Sequence, residues 1–181
     1  MSKNTTDKQI YIVVSQTGSF PSRVLRWITG DEYNHVSISL EEDLDTMYSF
    51  ARRYAYYPFW GGLVRESRRY GAMRRFRKTQ AVVMAISVDG ELYCKMREHL
   101  ERMYLNRKQY HYNYLGVMLA GINVHYHPTN HYYCSSFVKE MLVYFNLIKE
   151  DEMKKIVHPI DFLETFGEQE IFCGRLHDYR I

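Results

Sequence analysis

Apolar positions along the chain change period several times, and each change marks an element. Residues 9–14, "QIYIVV", form a β-branched run between polar residues, which predicts a strand. In residues 35–40, "HVSISL", Val36, Ile38 and Leu40 alternate with His35, Ser37 and Ser39, giving one apolar and one polar face. "DTMYSFA" (45–51) predicts a second strand, joined to the first by the acidic loop "EED". "AVVMAISV" (81–88) reads as a buried strand and "EIFCGRL" (170–176) as the last one. The helical signals lie between these runs. Over 19–30, Ser19 can cap a helix, Pro21 suits its first turn and Gly30 its end. Asp89 and Gly90 turn the chain into a charged amphipathic helix from 91 to 106. The short apolar piece "YLGVMLAGI" follows, and much later Pro159 opens a turn of helix. In residues 134–148, Phe137, Val138, Met141, Leu142, Phe145 and Ile148 recur at helical spacing, with Lys139, Glu140 and Asn146 on another side. About five strands and four helices, with strands mostly neighbours in sequence, predict an α+β fold with an antiparallel sheet.

At 181 residues the chain makes a single domain, 1–181, with a sizeable core. The basic residues are unevenly spread. Residues 52–78, "RRYAYYPFWGGLVRESRRYGAMRRFRK", contain Glu66 as their only acid, with Pro58 and Gly61-Gly62 as turn signals. An aromatic and basic segment suits a nucleic-acid strand, but a solvated basic excursion is the commoner outcome, so no stable nucleic-acid partner is expected. Arg68 and Arg69 are its candidate contacts to an anionic substrate. The start, "MSKNTTDKQI", lacks an apolar h-region, and the longest smooth apolar run is far short of the ~20 residues of a membrane span. Cys94, Cys134 and Cys173 are widely spaced and form no CxxC pair, which predicts reduced thiols and a cytoplasmic location.

Cys134 falls on the apolar stripe of its helix, at the first turn, so it faces inward. It is either a small core residue or a thiol placed for activation. With an ordinary pKa of ~8.5, only a few per cent of a thiol is ionised at neutral pH. A helix N-terminus contributes at most ~2 kcal/mol, about one pKa unit. An imidazolium must supply the rest. Of the eight histidines, His99 lies in a charged helix, His111 and His177 in tyrosine-rich surroundings, and His158 before a proline. His35 begins a strand and shares its face with two serines. With "EED" as a three-residue loop, Leu40 pairs with Leu44 and Ser49 falls opposite His35, where its hydroxyl can orient the imidazole. A competing use of the same thiol is zinc binding by His125, His127, His131 and Cys134 in "HYHPTNHYYC".

"SRVLRWITGDEYNHVSISL", followed much later by "YYCSSFVKEML", resembles the circularly permuted branch of the NlpC-like, papain-fold cysteine peptidases and amidases. YiiX-like and lecithin:retinol acyltransferase-like proteins are relatives in that branch, where the histidine strand precedes the cysteine helix. The resemblance spans roughly residues 9–148, with a family-like tail, "HPIDFLETF…IFCGRLHDY". It implies a permuted papain-like fold, the sheet packed against the Cys-bearing helix, with Cys134 as nucleophile and His35 as base. Ser49 stands where YiiX-like members place a glutamate, which makes Glu66 the alternative third member. The backbone N–H of Cys134 is one candidate oxyanion donor, and Gln16 a second. The implied activity is a thiol hydrolase acting on a peptide, amide or acyl substrate through a thioester, with no cofactor. Acyltransfer or lipid-ester hydrolysis is the alternative chemistry, and a non-catalytic protein holding an anionic ligand is the alternative class.

Overall fold

The computed structural model describes residues 7–16, 32–52, 61–71 and 78–181. The helix expected over 19–30 and the Pro58 turn lie outside them, as does part of the basic excursion. The fold is α+β. A six-stranded antiparallel sheet has the order β4-β3-β2-β1-β5-β8. Its strands are β1 (Lys8–Gln16), β2 (His35–Ser39), β3 (Met47–Arg52), β4 (Gly61–Glu66), β5 (Gln80–Val88) and β8 (Glu170–Arg175). A short parallel pair joins β6 (His111–Tyr112) to β7 (His131–Tyr132). The helices among the described residues are α1 (Gly90–Leu105), α2 (Tyr114–Ala120), α3 (Cys134–Tyr144) and α4 (Asp161–Phe166). No helix among them is long and apolar enough to cross a membrane.

Two differences from the expected sheet have clear causes. The sixth strand is β4, where Gly61-Gly62 opens a strand instead of a turn. Gly61 suits that position because β6 passes so close: a Cβ there would lie 2.8 Å from the Tyr112 Cβ and 2.7 Å from the Tyr114 hydroxyl. Gly61→Ala is therefore expected to destabilise the fold by about 1–3 kcal/mol through overpacking. Urea unfolding checks this, and a midpoint equal to the unchanged protein's would refute the close approach. The second difference is the polar face of β2. It is buried along its whole length, so its hydroxyls are bonded within the protein. Ser39 Oγ lies 2.9 Å from both the Glu41 and the Thr46 carbonyl, which share its one proton, and Ser37 Oγ points at the Met47 sulfur.

The main core lies between the sheet and α3. Ile10, Ile12, Val36, Ile38, Phe50 and Met84 meet Phe137, Val138, Met141 and Leu142 there. The helix ends at Tyr144, earlier than the apolar stripe predicts. Asn146 adopts a left-handed conformation, and Leu147 N–H donates back to the Leu142 carbonyl at 2.8 Å, closing the last turn. Phe145 and Ile148 remain buried beyond that end. Lys139, expected on the polar side, is buried as well. Its ammonium donates to the Met153 and Lys154 carbonyls and to Glu150, fastening the following loop to the helix.

Candidate active site

Cys134 is the first residue of α3 and is buried among core residues. Tyr133, in extended conformation, caps the helix, and its N–H donates to Ser136 Oγ at 3.0 Å. The opening amides of a helix have no partner inside it, so the Cys134 N–H belongs to the set that can serve a ligand. Three bonds fix the helix start and the strap beside it. Ser135 Oγ donates to the Val157 carbonyl at 2.6 Å, and the strap beyond it is closed by buried Asp161, which accepts from His158 N–H and Lys154 Nζ at 2.7 Å. Sequence analysis gave Ser135, Lys154 and Asp161 no role in this strap. The Pro159-led turn was their one signal.

His35 opens β2, paired with Ser15 of β1, and is 9% exposed. Its Nε2 lies 2.7 Å from Glu66 Oε2, at the end of β4. The Cys134 thiol stands near enough to the same ring to act on its charge. With Nε2 on Glu66, Nδ1 is the nitrogen left for sulfur. Ser49 Oγ donates to Glu66 Oε2, also at 2.7 Å. The order is therefore thiol, imidazole, carboxylate, hydroxyl, and the third position belongs to Glu66. Ser49 acts one step further out.

The register explains the exchange. The β2–β3 ladder pairs Ile38 with Tyr48 and Ser39 with Met47, so its extension sets Ser49 opposite Ser37. The connecting loop covers 40–46, longer than "EED", because Leu44 takes a left-handed turn and Asp45 N–H bonds to Asp43 Oδ1. The slip is two residues, which keeps Ser49 on the expected face.

Burial alone pushes the His35 pKa down, but the Glu66 charge and the hydrogen bonds to Cys134 and Glu66 outweigh it, leaving the ring well above its usual value. Burial likewise pushes Glu66 up, and the His35 charge with the hydrogen bonds from His35 and Ser49 reverses this, holding it below the usual carboxylate value. Both directions describe one buried ion pair that is charged at neutral pH. Burial, with Cys134 adding to it, pushes the neighbouring Tyr133 hydroxyl up to about 12, so that group stays protonated.

The other expected residues are placed differently. Gln16 ends β1 two positions after Val14, so strand alternation sets it on the face that α3 covers, at the His35 end of the sheet. Arg68 is committed to structure: its guanidinium donates to the Asp43 and Tyr179 carbonyls and lies over the Tyr179 ring. Arg69 pairs with Asp45 at 3.2 Å. Neither is assigned to substrate here, since their charges are already engaged. The zinc alternative does not assemble. His125 stacks on His127, His127 meets the edge of Tyr132, and His131 packs against His111. Among the described residues no three His, Cys, Asp or Glu side chains form a metal-binding group. No protein-family model, curated protein or solved structure matches the chain.

Proposed function

We propose that the protein is a thiol hydrolase of the permuted papain-like kind, related to NlpC-like and YiiX-like enzymes, that cleaves a peptide, amide or other acyl bond. The feature that carries this proposal is the convergence of Cys134, His35 and Glu66, from three separate elements, in one buried cluster, with His35 and Glu66 in contact at 2.7 Å. A structural cysteine has no need of a buried imidazole–carboxylate pair, and such a pair is costly to bury unless something uses it. The unpaired Cys94, Cys134 and Cys173 suit a reducing compartment such as the cytoplasm.

In this scheme the imidazolium of His35 is the charge that a Cys134 thiolate faces. Sulfur attacks the acyl carbon, and the carbonyl electron pair moves to oxygen, which the Cys134 N–H and Gln16 receive. Collapse expels the leaving group with the proton from His35 and leaves a thioester. Water then gives its proton to His35 as it attacks, and sulfur departs. Glu66 holds the ring in one orientation and balances its charge throughout. Ser49 holds Glu66.

An electrophilic acyl probe tests this directly. Cys134 is expected to react at least about tenfold faster than Cys94 or Cys173 near neutral pH, since thiolate character sets the rate. Peptide mapping of the labelled protein gives the three rates separately. Equal labelling of the exposed Cys94 and Cys173 with a silent Cys134 would refute the proposal.

A further inference from the structure

The excursion between β6 and β7 is built inside out. Its backbone is firmly held: Asn113, itself buried, caps α2 by accepting from Gly116 N–H and donates to the Tyr126 carbonyl, both at 2.8 Å. Its own N–H donates to the Tyr132 carbonyl, and His111 N–H to the Asn130 carbonyl. Gly116 occupies the inward side of α2, where any Cβ would strike the Asn113 side chain. The large apolar residues point the other way. Leu115 is 51% exposed, Met118 74% and Ile122 70%, followed by exposed Val124 and Tyr126. Leu115 and Met118 lie three apart on one face of α2, and Ile122 follows in the turn after it. Loose packing cannot account for this exposure, because the base is stapled. A contiguous apolar face on a fixed element marks an interaction surface.

Charge identifies the partner. From Arg102 to Lys139 the chain contains no Asp or Glu, while Arg107 and Lys108 stand at the base of the excursion and are exposed. Of the tyrosines that flank the apolar stretch, Tyr126 is exposed, while Tyr110 and Tyr112 pack against the core. Apolar side chains to enter the acyl boundary, the exposed Tyr126 ring for the headgroup level and the positive charge of exposed Lys108 together match an anionic lipid surface. We infer that α2 and the turn after it form a docking surface for anionic membranes. This surface is independent of the thiol chemistry, although β7 runs directly from it into Cys134.

Vesicle sedimentation tests it with the full chain. Binding is expected to vesicles in which about a third of the phosphatidylcholine is replaced by phosphatidylglycerol, and to be much weaker to phosphatidylcholine alone. Leu115→Ser/Met118→Ser/Ile122→Ser should weaken binding more than about tenfold, since three apolar insertions are lost. Its melting temperature should be unchanged, because the replaced side chains are exposed. Lys108→Glu should weaken binding to the anionic vesicles alone. Cys134→Ala should bind like the unchanged protein, so a failure of the thiol reading and a failure of this one are separable. Wild-type protein left in the supernatant with both lipids, binding indifferent to headgroup charge, or a triple variant that binds normally would each overturn the inference. So would a dimer in equilibrium sedimentation that the triple variant dissolves, for then the face belongs to a second copy.

Discussion

Glu66→Gln is expected to slow acylation of Cys134 by about 10²–10⁴ at neutral pH, the range of a positioned acid–base group. Glutamine keeps the shape and a hydrogen-bond acceptor for His35, but it carries no charge. Burial, the largest influence on the ring and one that lowers its pKa, then acts without the Glu66 charge that opposes it. The imidazole is left neutral where the native protein holds it protonated, and a thiolate loses its counter-charge. The sign of the stability effect follows from the same pair. Glu66, held below its ordinary value of 4.5, contributes stability that is present above that value and lost as pH falls through the lowered one. His35, held above 6.5, contributes stability fully present below 6.5 and lost as pH rises through the raised value. The pair therefore stabilises the native fold across neutrality and fades at both ends. Alkylation rate and urea midpoint, each followed against pH in both proteins, measure the two effects. Identical pH profiles for native and Glu66→Gln protein would mean that the carboxylate does not govern the ring. Ser49→Ala should produce a smaller shift in the same direction, since a hydroxyl aligns Glu66 and supplies no charge.

Phe137→Ala is expected to cost about 3–5 kcal/mol, the usual loss for an aromatic side chain removed from a packed core. Phe137 is fully buried, and its ring sits 5.1 Å from Phe50 and 6.3 Å from Tyr132. These three join α3, β3 and β7 at the point where Cys134 enters its helix. Truncation leaves a cavity that neither strand can close, because the sheet register holds their backbones in place. Thermal and urea unfolding measure the loss, with exposed Ile171→Ala as a comparison expected within about 0.5 kcal/mol of the native protein. A Phe137→Ala protein as stable as that comparison would show that α3 does not rest on this cluster. Acyl-probe labelling should also drop in Phe137→Ala, since the helix that aims the sulfur loses its seat.

Cys134 and His35 were legible because each lies in a strongly periodic segment. The 3.6 period of Phe137, Val138, Met141 and Leu142 set the sulfur inward, and the alternation of Val36 and Ile38 set the strand on which the imidazole stands. Glu66 was visible as the sole acid in a basic run, yet its place was hidden. Gly61-Gly62 looks like a turn until Tyr112 is known to press against it, a contact between residues about fifty positions apart. The offset of Ser49 has a local origin that spacing does not carry: Ser39 ties down both sides of its loop, and Leu44 turns left-handed. Arg68 shows the same limit from the other side. A basic residue in a basic run suggests a free charge, while its two carbonyl partners come from a loop and from the far end of the chain.

The order of the elements has a consequence for synthesis on the ribosome. The strands carrying His35 and Glu66 are complete long before Cys134 is translated, and domains fold from the N-terminal side as they emerge. The charged pair can thus assemble in a chain that has no nucleophile. The apolar face of the same strands, with Ile12, Ile38 and Phe50, meanwhile waits for Phe137 and Val138. A nascent chain halted between β5 and α3 has a half-built core open to water, an adhesive surface that chaperones bind and that self-association buries. Termination products ending before Cys134 should therefore be found in inclusion bodies, while in the full chain the helix that brings the thiol also covers the sheet.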